Sequence, residues 1–248
     1  MTRQECYGIG SDSNTHDVNV WPPSEVLPDF RSFCTKFYWE CWRTSQLVLK
    51  AVAIGLGLPE EDFLLKFHTG HENELSLRHY PPISANTIEK QEMRRLSSHA
   101  DFDALTLLFQ DDCGGLEVEK KGEPGVYVPV NPIEGALVMN IGDVLQRWSN
   151  GEKDRGFGIC MTANSRVDYL TSTKHRVHLP PLQDRYTGEE RMTRQRYSIP
   201  YFVQPKMETA MECLPGCSSK ENPPKYEPML FGDWYRQQAA AVFGYGRE

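Results

Sequence analysis

The chain has 248 residues, of which 39% are hydrophobic and 25% charged, with a formal net charge of -7. This is ordinary usage for one globular domain with a full core, and the acidic balance, without any basic cluster, argues against a nucleic-acid or anionic-membrane partner. No apolar run reaches membrane-spanning length and the amino end has no hydrophobic signal region, so a cytoplasmic protein is expected.

The first predicted element is a long helix. Ser24, after Trp21-Pro22-Pro23, is placed to cap it, Phe30, Phe33, Cys34, Phe37, Cys41, Val48 and Val52 recur at helical spacing, and Gly55 and Gly57 mark its end. These aromatics read as core, a helix supporting a sheet. Pro59 and the acidic residues behind it open a short second helix. His68 and His71 have the spacing of a metal pair, but Gly70 between them breaks the helix that would align the rings, so both are expected in a loop.

From residue 75 the period changes to that of strands. Short apolar or alternating runs at 75–80, 105–110, 115–118, 126–130, 137–141, 169–177 and 198–203 are separated by Gly, Pro and charged turns, the spacing of an all-β sandwich or barrel. The tail returns to helix over 231–242, with Trp234, Ala239 and Val242 on one side. The seven cysteines lack regular spacing and read as reduced thiols; Cys213 and Cys217 have no second pair or nearby histidine to complete a zinc site.

Chemistry concentrates in the strand region. His99 and Asp101, one residue apart in an extended segment, point to one face and can grip one ion. A third ligand from a distant strand would complete two imidazoles and a carboxylate on one side of an octahedral metal, the set that suits non-haem Fe(II) better than zinc. Taken alone, such a pair is more often part of a surface strand. Asp103 shares its parity and is a competing carboxylate. Arg196 and Ser198, two apart on a later strand, direct a guanidinium fork and a hydroxyl at one point and can take both oxygens of a carboxylate; a surface salt bridge is the alternative for Arg196.

Four blocks in order widen this reading: the run from His99 to Val118, Gly135-Ala-Leu-Val-Met-Asn-Ile-Gly-Asp-Val-Leu-Gln-Arg-Trp-Ser-Asn150, Ser172-Thr-Lys-His-Arg-Val177 and Arg196-Tyr-Ser-Ile-Pro-Tyr-Phe202. Together they resemble the isopenicillin N synthase-like branch of the Fe(II)/2-oxoglutarate-dependent dioxygenases, in wording closest to fungal members. The resemblance implies a mainly β fold with flanking helices, built on a double-stranded β-helix or jelly roll. Residues 1–74 would be a helical support segment, 75–205 the dioxygenase jelly roll and 206–248 a helical tail. It also implies that His175 is the third ligand beside His99 and Asp101, with Asp101 preferred over Asp103. Arg196 and Ser198 would hold the far carboxylate of 2-oxoglutarate, with Tyr80, before Pro81-Pro82, touching the same co-substrate. Implied in turn are Fe(II), 2-oxoglutarate and O2, and a small-molecule substrate, hydroxylated by default with release of succinate and CO2. A 2-oxoglutarate-independent oxidase, with Arg196 and Ser198 on the substrate's own carboxylate, is the alternative, and a catalytically impaired relative is a third reading.

Two departures from the family pattern support that third reading. Relatives usually carry a further segment before the long helix, so a sheet edge and apolar surface are expected to lie uncovered here. Residues 151–167 separate the Trp148-Ser149-Asn150 turn from the strand bearing His175 and have neither strand nor helix period. Their codons can spell an intron that returns a single Asp codon when spliced. The stretch is either an intron retained in frame or a loop over the active site.

Overall fold

The computed structural model describes residues 4–14, 18–151 and 170–243. The insert expected at 151–167 lies, apart from Gly151, outside the described residues. Its two sides nonetheless meet: a Cβ added at Gly151 would collide with the Leu170 carbonyl oxygen, and the Gly151 N–H donates to Gln146 O at 2.8 Å. The chain leaves and returns at almost one point.

Thirteen strands and four α-helices are described in chain order. Strand β1 (Glu5–Ile9) precedes helix α1 (Phe30–Gly55), and β2 (Glu74–Tyr80) precedes the short α2 (Ala85–Glu89). Strands β3 (Leu96–His99), β4 (Leu105–Gln110), β5 (Leu116–Glu119), β6 (Tyr127–Pro129) and β7 (Val138–Ile141) lead to α3 (Asp143–Trp148). After β8 (His175–Val177) come the two-residue β9 (Tyr186–Thr187) and β10 (Met192–Thr193), then β11 (Arg196–Val203), β12 (Ala210–Met211), β13 (Met229–Leu230) and α4 (Phe231–Phe243).

The main sheet has the order β1-β2-β11-β4-β7, and a second sheet the order β3-β8-β5-β6; every pairing is antiparallel. Because consecutive residues of a strand face opposite ways, β2, β11, β4 and β7 of the main sheet each have one side toward the core under α1 and one toward a cavity between the sheets. On the α1 side, Leu75, Leu105, Leu107, Tyr201 and Val203 pack with Tyr38, Cys41, Trp42 and Leu49 of the helix. Their polar atoms are accommodated. The Tyr38 hydroxyl lies 2.6 Å from Gly70 O and 2.9 Å from Asn73 O, while Asn73 Nδ2 donates to the Tyr201 hydroxyl at 2.9 Å.

Several sequence expectations need correction. Helix α1 begins at Phe30 and not after Ser24, because Pro28 disfavours helical geometry at the residue before it and lacks an amide hydrogen. Its buried stripe is Cys34, Tyr38, Cys41, Trp42, Ser45, Leu49 and Ala53, while Phe33 is 68% exposed and stacks on Phe37. The stripe runs one position off the expected one because Tyr38 and Trp42 are its large members. The short helix after Pro59 is a 3-10 turn at Phe63–Phe67. The run expected at 169–177 is strand only over His175–Val177 among its described residues. No strand was expected at Glu5–Ile9, yet β1 pairs along β2 and covers that edge of the sheet.

Candidate active site

His99 and His175 meet because β3 pairs with β8 and sets the two residues directly opposite each other. Their rings lie 4.3 Å apart between centroids. Each Nδ1 contacts the carbonyl two residues earlier, His99 with Ser97 O at 2.9 Å and His175 with Thr173 O at 3.1 Å. A carbonyl only accepts, so each Nδ1 carries the hydrogen, and in the neutral tautomer Nε2 then offers its lone pair. Both Nε2 atoms lie 3.7 Å from Asp101 Oδ1.

Asp101 reaches this point differently from the expected strand mate of His99. Strand β3 ends at His99, and Asp101 stands in the loop beyond, tied by its carbonyl to the Asp143 N–H at 2.9 Å at the start of α3. Its Oδ2 accepts from the Thr106 hydroxyl at 2.6 Å and from Asn140 Nδ2 at 2.8 Å. One carboxylate oxygen is thus occupied by the protein and the other faces the imidazoles. Burial works against the Asp101 charge, but His175, His99, Thr106 and Asn140 outweigh it and hold the carboxyl below its usual range. Burial, reinforced by His175, holds His99 down at about 4 against the pull of Asp101, so the ring is neutral at neutral pH.

Asp103 stands behind this group. Burial first, then the Asp101 charge, push its carboxyl well above the ordinary value. Thr106 Oγ1 lies 2.9 Å from Asp103 Oδ2 as well as 2.6 Å from Asp101 Oδ2. A hydroxyl has one hydrogen, which Thr106 can give to only one of the two carboxyls at a time, and Asp101 Oδ2 is the nearer. Asp103 is not among the three donors that gather at one point.

The donor atoms of His99, Asp101 and His175 all lie within 4.8 Å of one another, and this is the one such group of three among the described residues. Donors on one side of an ion about 2 Å away stand roughly 3 Å apart, so the 3.7 Å spacings need only a small inward shift to hold a divalent cation. Two imidazole nitrogens and one carboxylate are the set that leaves positions open on non-haem Fe(II).

Tyr80, Arg196 and Ser198 line the same cavity. Register explains the grouping: Arg196 pairs with Tyr80 across β11 and β2, and Ser198 pairs with Gln110 on β4. Arg196 is 1% exposed, donates to Ser198 Oγ at 3.0 Å and Gln110 Oε1 at 3.2 Å, and lies over the Tyr80 ring at 5.0 Å. It makes no salt bridge among the described residues, and its Nε has no partner. A buried guanidinium paired only with neutral groups is poised for an anion.

Thr106, Gln110, Asn140 and Arg78 also belong to this site and were missed in the sequence. Thr106 and Asn140 pair directly across β4 and β7. Their signal was a polar residue in each of two apolar strands, at the parity that turned out to face inward. His68 and His71 are not part of the site. His68 is buried, with Nδ1 on Leu64 O at 2.8 Å, and His71 contacts Ser11 and Ser13.

Comparison with known proteins agrees with this geometry. Residues 71–205 match the model of the 2OG-Fe(II) oxygenase superfamily. The 2-oxoglutarate-Fe(II) type oxidoreductase ppzD of Metarhizium majus is 34% identical over 244 residues, which cover 98% of this chain and 62% of that protein. The proline hydroxylase buaE of Petromyces alliaceus is 34% identical over 235 residues, covering 94% of this chain and 66% of that protein. A full-length Neurospora crassa protein, solved as a crystal structure in complex with alpha-KG, superposes with a TM-score of 0.81 at 32% identity, over 98% of this chain and 66% of that one. The chain therefore spans about two thirds or slightly less of the length of these relatives. With its antiparallel jelly-roll core and these matches, the chain belongs to the 2OG-Fe(II) oxygenase superfamily.

Proposed function

We propose that the protein is a non-haem Fe(II)- and 2-oxoglutarate-dependent oxygenase acting on a small organic substrate, with His99, Asp101 and His175 as the iron ligands. The observation that carries this reading is the presence in one cavity of a three-donor cation site and a buried guanidinium lacking a carboxylate partner. When bound, Fe(II) and 2-oxoglutarate activate O2, so that one oxygen atom enters a substrate C–H bond and the other enters succinate as CO2 leaves.

The protein's part is placement. Arg196, with Ser198 beside it and Tyr80 beneath, takes the far carboxylate of the co-substrate. Thr106 and Asn140 fix Asp101 Oδ2, so that Oδ1 is the oxygen offered to the metal. The Ser97 and Thr173 carbonyls hold the hydrogens of the two imidazoles away from it. The fungal origin of these two relatives, one of them named a proline hydroxylase, supports a role in fungal small-molecule oxidation.

Anaerobic Fe(II) titration with and without 2-oxoglutarate, followed by succinate measurement after O2 is admitted, tests the proposal. Metal-dependent uptake of 2-oxoglutarate and formation of succinate are expected. Iron binding without either would favour the 2-oxoglutarate-independent oxidase.

A further inference from the structure

Arg78 is a second guanidinium in this cavity. It stands on β2 two residues before Tyr80, and the register places it opposite Ser198 of β11. It therefore faces the same side as Arg196 and lines the same cavity as the three-donor group, and its charge acts on the His99 imidazole.

Its surroundings differ from those of Arg196. Arg78 is half-buried, and its Nε makes one long contact, 3.4 Å to Ser76 Oγ. Its guanidinium carbon lies 5.4 Å from the centre of the Phe202 ring. Among the described residues no carboxylate pairs with it. Among the described residues of the cavity wall, Arg78 and Arg196 are the arginines and Asp101 is the carboxylate.

Charge balance then points to a ligand, resting on the reading proposed above. A divalent ion and two guanidiniums against Asp101 leave three positive charges in excess. The 2-oxoglutarate dianion cancels two. One remains on the side of Arg78, since Arg196 already meets the far carboxylate and the near one belongs to the metal. The rest of the wall, Leu96, Leu108, Leu116, Val177, Pro200 and Phe202, is apolar.

We propose that Arg78 is a specificity-determining residue that anchors the substrate through a carboxylate, so that the substrate is an apolar body bearing one carboxylate group. A planar fork on a partly desolvated wall suits two-pronged binding of such a group. The aromatic face of Phe202 holds the guanidinium without neutralising it.

Phenylacetate and phenylacetamide, matched in shape and differing in charge, serve as probes. Each is titrated into protein loaded with Mn(II), with and without 2-oxoglutarate, and followed by the line broadening that the paramagnetic ion imposes on nearby protons. Wild type should bind phenylacetate in preference to the amide. Arg78→Leu should lose that preference, with phenylacetate weakened roughly tenfold or more, the scale of a lost charge-assisted hydrogen bond, while 2-oxoglutarate affinity is unchanged. Arg78→Lys, a milder change that guards against misfolding of the leucine variant, should fall between the two.

If Arg78→Leu weakens 2-oxoglutarate as severely as Arg196→Leu does, the carboxylate that Arg78 serves is the co-substrate's and the proposal is wrong. Equal binding of the two probes to wild type, or of phenylacetate to wild type and both variants, also overturns it. A wild-type protein that takes up no 2-oxoglutarate overturns the oxygenase reading instead, and the phenylacetate titration with Mn(II) alone still decides the role of Arg78.

Discussion

On β11, Arg196, Ser198, Pro200 and Phe202 line the cavity, whereas Ile199, Tyr201 and Val203 turn toward α1. The same alternation separates Arg78 and Tyr80 from Leu75 and Leu77 on β2, and Thr106 and Leu108 from Leu105 and Leu107 on β4. The α1 side is filled with apolar groups, and its buried hydroxyls at Tyr38 and Tyr201 have partners. The cavity side leaves Arg196 Nε without one and keeps Arg196 free of any described carboxylate. Buried polar groups are normally satisfied, and an unpaired guanidinium nitrogen on a cavity wall suits an anionic ligand. One pleated sheet thus divides stability from binding between its two faces.

The strongest way to break this division is at the metal ligands. Asp101→Ala should abolish Mn(II) or Fe(II) binding, measured by equilibrium dialysis, because only two imidazoles remain to hold the ion. Asp103 stands outside the three-donor group, so Asp103→Asn should retain the metal. The opposite pattern would mean that Asp103 is the ligand carboxylate.

On the other face, Leu105→Ala should lower unfolding free energy by about 2 to 5 kcal/mol, the range for a buried leucine truncated to alanine, with metal affinity of the folded protein unchanged. Urea unfolding and dialysis on the same sample check both halves. A variant that lost metal while keeping its stability would show that the two faces are not separable.

His68 tests the core side by pH. Burial holds its ring at about 4 in the folded protein, below the ordinary value near 6.5, so the unfolded chain binds the extra proton between the two. The stabilisation is complete above about 6.5 and lost as the pH falls toward 4, in total about 3 kcal/mol. His68→Gln, which can still donate to Leu64 O, should flatten the fall in urea stability over that window. An unchanged slope would place the responsible proton elsewhere.

Arg196→Lys sharpens the contrast within the cavity. It preserves charge and loses the fork, and should weaken 2-oxoglutarate by about 1.5 to 3 kcal/mol, the range for a charged hydrogen bond. Metal affinity and urea stability should hold, and calorimetric titration of metal-loaded protein reads the change. Normal 2-oxoglutarate binding in this variant would remove Arg196 from the co-substrate site.

Much of this was legible in the amino acids because strand alternation and helix period are local. The runs at 105–110 and 75–80 became β4 and β2 with bounds shifted by at most one residue, and the parity of Arg196 and Ser198 held. The blocks from His99 to Phe202 supplied the candidate donors, since side-chain type alone limits which groups can hold a cation or an anion. Pairing between distant strands decided the rest. It set His99 opposite His175, brought Thr106 and Asn140 to one oxygen of Asp101, and placed Arg78 beside Ser198. Period assigns a residue to one of two faces, but register and sheet packing decide which face closes on the cavity and which meets α1. Those contacts join residues far apart in sequence, and for that reason they were not visible in any single segment of it.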